Sequence, residues 1–259
     1  MRRLKYCAEI EARALSAFRE GVLGWYRIYG RDLPWRKRRD PYAVVVSEIM
    51  LHQTTVTTVI PVYESFLERF PSIEALYEAS LEDVKAITDP LGYKVRGKWL
   101  KDIAQAIVER YHGVWPRTAE DLMTLPGVGR YTAGAILSFA FGMNAPILDT
   151  NVKRVLGRYF GLPYREMRAE VQHHLWALAD AVVPLGEAFD FNQALMDFGA
   201  MVCTARSPGC TICPMFQSCG DASGSLSDFH AAEAPSSYHI RPRDADETLA
   251  ISTTPSRVR

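Results

Sequence analysis

Cys203, Cys210, Cys213 and Cys219 follow the spacing C-x6-C-x2-C-x5-C, broken by Pro208, Gly209 and Pro214. Thiolates are ligands for soft metals, and four on one short loop can close around a zinc ion or an iron–sulfur cluster. The spacing leaves the two open, because a zinc knuckle typically pairs two C-x2-C units and this loop has one. Cys7 stands alone and reads as a core thiol.

Two carboxylates could do acid and charge-stabilising work. In "YAVVVSEIMLHQTT", Glu48 lies on a helical pattern with Val44, Val45, Leu51 and His52 three or four residues away. Such apolar neighbours strip water from the charged form, so the pKa should rise and the group should hold a proton near neutrality, as a general acid must. In "ILDTNVKRVL", Asp149 precedes a helical run through Val152, Val155 and Leu156, and its plain reading is a helix N-cap. Between them lies "LPGVGRYTAGA", two glycines and a proline joining short helices over 118–124 and 131–141. Gly127 and Gly129 are expected to adopt backbone conformations closed to other residues and to clear the way for a close approach. The second helix opens with unpaired amides, which suits an anion and above all a phosphate.

The elements that must carry these groups are helices. Residues 9–29 place Ile10, Leu15, Phe18, Val22, Leu23 and Trp25 or Tyr26 at three- and four-residue steps, and residues 98–111 do so with Leu100, Ile103, Ile107 and Tyr111. Asp40 before Pro41 is a start signal, and "PSIEAL", "SLEDV" and "TAEDL" are three more. Strand alternation bounded by hairpin turns is absent, so the fold class is all-α. Beyond Cys219 the pattern gives way to Ser, Ala, Pro and charge, and 223–259 reads as a disordered tail with at most a short docking segment around Phe229 or Tyr238.

At 259 residues and 48% hydrophobic content, the chain can bury one large or two modest cores. Lys+Arg and Asp+Glu each total 30, so bulk charge attracts neither nucleic acid nor membrane. One local basic run exists, Arg36 to Arg39, whose plain reading is a solvated loop. No stretch approaches the roughly 20 apolar residues of a membrane span, and acidic residues appear too early for a signal peptide. The expected location is intracellular, where cysteines are seldom paired as disulfides.

"LPGVGRYTAGAI", then "PILDTNVKRV", then the cysteine loop resemble, in that order, the helix-hairpin-helix base-excision DNA glycosylases that carry a four-iron, four-sulfur cluster. The resemblance runs from about Leu33 to Cys219. It implies a two-lobed fold, with a six-helix barrel over 36–144 and a cluster lobe combining the N-terminal helices (1–35) with 145–222. It also implies a monomer that binds double-stranded DNA across the cleft, with the cysteines holding a 4Fe-4S cluster that orders the loop so that Arg206 meets phosphates. By the same resemblance, Glu48 protonates the extruded base, at adenine N7 in the adenine-specific branch. Asp149 stabilises the cationic sugar, and Asn151 and Tyr131 orient that aspartate and the attacking water. The endonuclease III branch has a lysine nucleophile where this chain has Tyr131, which implies base removal without strand cleavage. Leu125, Gly127, Val128, Gly129 and Arg130 form the phosphate-holding turn, and Gln53 probes the partner base.

The base pocket is expected to use Trp35, Arg36 and Leu51. Gln193 in "FNQALMDFGAMVC" resembles the adenine-specific, MutY-type branch, its amide offering a donor and an acceptor to adenine's pairing edge. Val56 is similar to that branch too. Against it, "PLGYKVR" stands where that branch has "GLGYY", leaving Lys94 to contact phosphate or a groove edge, and His52 replaces the first glutamine of "QQT". The tail shows no counterpart of the branch's 8-oxoguanine-reading domain, so weaker discrimination of 8-oxoguanine is expected. "FAFG", "RYF" and "DFN" resemble the thymine-mismatch branch. The expected target is adenine opposite guanine or 8-oxoguanine, with thymine or uracil opposite guanine as the alternative. A reading from another class is a DNA-binding module without catalysis.

Overall fold

The computed structural model describes residues 12–221; Ile10, Cys7 and the tail over 223–259 lie outside the described residues. Among the described residues all regular structure is helical. Eleven α-helices run in order: α1 (Ala12–Tyr29), α2 (Pro41–Leu51), α3 (Val56–Arg69), α4 (Ile73–Glu78), α5 (Leu81–Thr88), α6 (Val95–Gln105), α7 (Ala119–Leu122), α8 (Arg130–Phe139), α9 (Thr150–Tyr159), α10 (Ala169–Val182) and α11 (Ala188–Met201). None is long and apolar enough to cross a membrane.

The start signals are used as capping chemistry requires. Asp40, Ser72, Ser80, Thr118 and Asp149 each accept a hydrogen bond from the backbone N–H three residues on, satisfying one orphan donor of α2, α4, α5, α7 and α9. Such a cap contributes about 1 kcal/mol. The helix expected over 98–111 begins earlier, at Val95, and ends in a π turn over Ala106–Arg110.

α2 is apolar nearly all round, and every residue from Tyr42 to Met50 is buried. A helix of that kind belongs inside other helices; α2 packs against α3, α6 and α8. A second set of contacts joins α1, α9, α10 and α11. There Phe18 of α1 is fully buried among Tyr159, Phe160 and Phe191, with ring centroids 4.7, 5.2 and 6.2 Å away. The two sets meet where α8 touches α11.

Candidate active site

Glu48 reaches the site from the penultimate turn of α2 and is only 4% exposed. Burial pushes its carboxyl up to about 7; Tyr131 opposes that rise, Asp149 adds to it, and Arg36 opposes it. Tyr131 occupies the first turn of α8, with its hydroxyl within hydrogen-bond reach of Glu48 and donating to Met196 Sδ of α11 at 3.3 Å. Burial, then the Glu48 and Asp149 carboxylates, hold the phenol well above its ordinary range, so it stays a neutral donor.

Asp149 arrives from the segment between α8 and α9. Its Oδ1 accepts from Val152 N at 2.7 Å, and its Oδ2 accepts from Asn151 Nδ2 at 3.0 Å. Burial raises its pKa while these donors and Arg154 pull it back. The segment can pass so close to α8 because Gly134 has no side chain: a Cβ there would lie 2.1 Å from Pro146 O. Behind Asn151, Arg154 donates to Asn151 Oδ1 at 2.8 Å, Gly199 O at 2.7 Å and Cys203 O at 2.8 Å. Glu48, Tyr131 and Asp149, from three separate stretches, thus act on one another electrostatically.

Beside this trio lies a polar wall. Arg36 donates from Nε to Gln193 Oε1 at 2.7 Å, from Nη1 to Arg31 O and Asp197 Oδ2 at 2.8 Å each, and from Nη2 to Asp197 Oδ1 at 2.7 Å. One lone pair of the Gln193 oxygen is therefore already engaged by Arg36. Trp35 is buried edge-to-face on Tyr63 at 5.5 Å. Leu51 and Val56 are half-buried on either side of Gln53, which is exposed with φ +54°.

The glycine turn differs in part from expectation. Gly127 has φ +74°, and a Cβ would meet the Trp99 ring at 2.6 Å. Gly129 is extended (φ −92°, ψ −178°), a conformation open to any residue, so its role is the open space above it. Leu125 and Val128 turn their side chains inward, leaving only backbone groups to face a phosphate. Arg130 stacks its guanidinium 4.0 Å over Trp176. In the basic run Arg36 is buried, while Lys37, Arg38 and Arg39 are exposed, Lys37 pairing with Asp32, Arg38 with Asp40, and Arg39 lying over Phe189. Lys94 is exposed beside exposed Tyr93, whose ring meets Trp99 at 5.6 Å.

The sequence reading missed Trp99, which packs with Gly127, Tyr93 and His52. It also missed Arg96, fully buried, donating to Ile49 O, His52 O and Thr54 Oγ1 at the C-terminal end of α2. Asp197 was missed too, although its place four residues after Gln193 on one helix was a usable signal.

The four cysteines of the loop are half-buried. Burial pushes the Cys213 thiol up to about 11, with Cys219, Cys203 and Cys210 adding to the rise. Arg158 Nη1 approaches Cys203 Sγ at 3.4 Å and donates to Thr204 O at 2.7 Å. Among the described residues, no three His, Cys, Asp or Glu side chains gather tightly enough to hold a single metal ion.

The family model for the HhH-GPD superfamily base excision DNA repair protein matches residues 46–181. The chain is 41% identical over 206 residues to the adenine DNA glycosylase of Buchnera aphidicola subsp. Schizaphis graminum, covering 79% of this chain and 59% of the relative. It is 41% identical over 215 residues to the thymine/uracil-DNA glycosylase of Pyrobaculum aerophilum, covering 81% and 94%. With the adenine DNA glycosylase of Rattus norvegicus identity is 46%, over 79% of this chain and 42% of the relative. The chain thus spans about half the length of the adenine-specific relatives cited. A solved thermostable thymine-DNA glycosylase superposes with a TM-score of 0.77 at 34% identity, over 82% of this chain and 98% of that one. An endonuclease III–DNA complex shares the fold, with a TM-score of 0.70 at 23% identity over 83% and 97%. By sequence, the chain belongs to the HhH-GPD superfamily of base excision DNA repair proteins.

Proposed function

We propose that this protein is a monofunctional DNA glycosylase that hydrolyses the bond between a mispaired base and its sugar, acting on adenine opposite guanine or 8-oxoguanine in double-stranded DNA. The observation that carries the proposal is that buried Glu48 and Asp149 lie close enough to act on each other's charge and on the Tyr131 hydroxyl. Glu48 near pH 7 holds its proton and delivers it to a nitrogen of the extruded base, which then leaves as a neutral molecule. Asp149, fixed by Asn151 and the α9 amides, faces the positive charge that grows on the sugar, the problem glycosidases solve with a second carboxylate. A neutral phenol at residue 131 supplies no amine to attack the sugar, so the strand stays intact. Trp35, Arg36, Leu51, Val56 and Gln193 would enclose the base. The 125–130 turn, Gln53 and Lys94 would hold the duplex, with the lobes divided as 36–144 against 1–35 plus 145–222.

Cys203, Cys210, Cys213 and Cys219 would hold a 4Fe-4S cluster. Soft thiolates of this kind would suit iron–sulfur ligation, and the four lie on one loop of half-buried cysteines. Bound there, the cluster supplies a structural tie for the loop. Burial raises the Cys210 and Cys213 thiols, so a bound cation would favour their ionised form.

The thymine reading has support of its own, in the 94% coverage of the Pyrobaculum relative. A base-release assay on duplexes bearing A:G, A:8-oxoguanine, T:G and U:G pairs, with and without alkali, separates the two. Adenine release with strand breaks only after alkali is the expected result. Release confined to thymine or uracil, or breaks without alkali, would overturn it. A colourless protein containing zinc and no iron would overturn the cluster.

A further inference from the structure

The wall beside Glu48 contains a carboxylate with no role in bond cleavage. Asp197 is fully buried on α11, four residues after Gln193 and one after Met196, so the three side chains share the helix face that meets Tyr131. Both its oxygens are occupied. Oδ2 accepts from Arg31 N at 2.8 Å and Arg36 Nη1 at 2.8 Å, and Oδ1 accepts from Arg31 Nε at 2.8 Å and Arg36 Nη2 at 2.7 Å. Burial alone would push this carboxyl up, but Arg36 and Arg31 together hold it below its ordinary range, so it stays ionised.

A guanidinium has five N–H donors in one rigid plane. With two Arg36 N–H groups on Asp197 and one on Arg31 O, the plane is fixed, and the Nε–H must aim at Gln193. A donor aimed there demands the amide oxygen, so the amide cannot flip. Its nitrogen donates to no described residue and is not among the buried polar atoms left without a partner.

We infer that Asp197 is a positioning residue that sets the polarity of base recognition: by clamping Arg36 it turns the Gln193 oxygen onto the Arg36 Nε–H and leaves the amide N–H as the donor not bonded to any described residue, so the extruded base is selected through a hydrogen-bond acceptor on its pairing edge, N1 in adenine, and not through its exocyclic amino group. Arg36 keeps one uncommitted N–H, again a donor. The wall therefore offers donors to the base. This rests on the glycosylase reading above and adds to it the atom that is read.

The test is single-turnover release of adenine, 1-deazaadenine and purine (adenine without its amino group), each opposite guanine. It compares the wild-type protein with Gln193→Leu and Asp197→Asn. Ratios between bases, compared across proteins, cancel the bases' own leaving-group differences and any uniform loss of folded enzyme. A buried donor facing a C–H in place of nitrogen costs about 5- to 100-fold. The wild type should therefore prefer adenine over 1-deazaadenine by that factor more than Gln193→Leu does, while the adenine-to-purine ratio is alike in both. Asp197→Asn should move the 1-deaza ratio toward that of Gln193→Leu. Should Asp197→Asn fail to fold, Arg36→Lys, which cannot hold both partners in one plane, should show the same collapse. A wild-type 1-deaza ratio retained by Asp197→Asn or its substitute, or a Gln193→Leu effect confined to the amino group, would overturn the inference. A wild-type protein that releases no base from any duplex would instead remove the glycosylase reading itself, and the inference with it.

Discussion

Glu48 and Asp197 are both buried carboxylates, 4% and 0% exposed, yet burial leads them to opposite charge states. Glu48 sits on an apolar helix and is pushed up to about 7; Asp197 is held below its ordinary range by two guanidiniums. Desolvation is the leading effect on each, so the difference lies in the partners. Arg36 is the cation that acts on Glu48, but four of its five N–H donors are committed to Asp197, Gln193 and Arg31. The aspartate takes the cation, and the glutamate keeps its proton. One stretch of the site is thus built to hold a proton near neutrality, while its neighbour is built to hold a shape.

The largest expected effect tests the proton side. Glu48→Gln should bind mismatched duplex normally yet lose about 100- to 10,000-fold in single-turnover base release, since the amide has no proton to give. Turnover within tenfold of wild type would take Glu48 out of the acid role.

Removing Asp197 tests the other side. Asp197→Ala leaves two guanidiniums without their carboxylate and should cost about 3–5 kcal/mol in chemical denaturation. In whatever fraction stays folded, Arg36 is free to turn toward Glu48, so the pH above which excision fails should fall below that of wild type.

The raised Glu48 pKa also fixes a sign. The folded state binds this proton more tightly than the unfolded chain does, so the stability it contributes is complete below an unfolded pKa of about 4.3. That contribution is lost as pH rises to about 7. Between pH 5 and pH 8 wild type should lose up to about 3 kcal/mol relative to Glu48→Gln, and its excision rate should decline above pH 7. Parallel stability curves for the two proteins would show that Glu48 is not held protonated.

The smallest effect concerns how Asp149 is delivered. Gly134→Ala gains about 1 kcal/mol of helix propensity but drives a methyl into Pro146 O, a backbone atom with no rotamer to escape into. Overpacking of this kind costs about 1–3 kcal/mol. A net loss of stability is expected, and thermal melting beside wild type would reveal it.

Much of this molecule was readable in the chain because it is local. Asp40, Ser72, Ser80, Thr118 and Asp149 bond to amides three residues away, and such contacts are written in adjacent letters. Gly129 shows the limit of that reading, for the same letter twice in one turn serves a strained backbone at Gly127 and open space at Gly129. The basic run at Arg36–Arg39 shows it again, since neighbours in sequence face Asp197, Asp32, Asp40 and Phe189.

The sequence by itself determined an all-helical chain, its helix starts, the apolar bed of Glu48, the capping carboxylate at Asp149, the glycine turn and a thiol-rich loop. Each follows from chemistry within a few residues. Only the tertiary structure decided that Glu48, Tyr131 and Asp149 come within reach of one another's charge, that Arg96 closes the end of α2, and that Asp197 holds an arginine met more than a hundred residues earlier. A buried charge must find its partner wherever the packed helices bring one, and no local pattern records which partner that is.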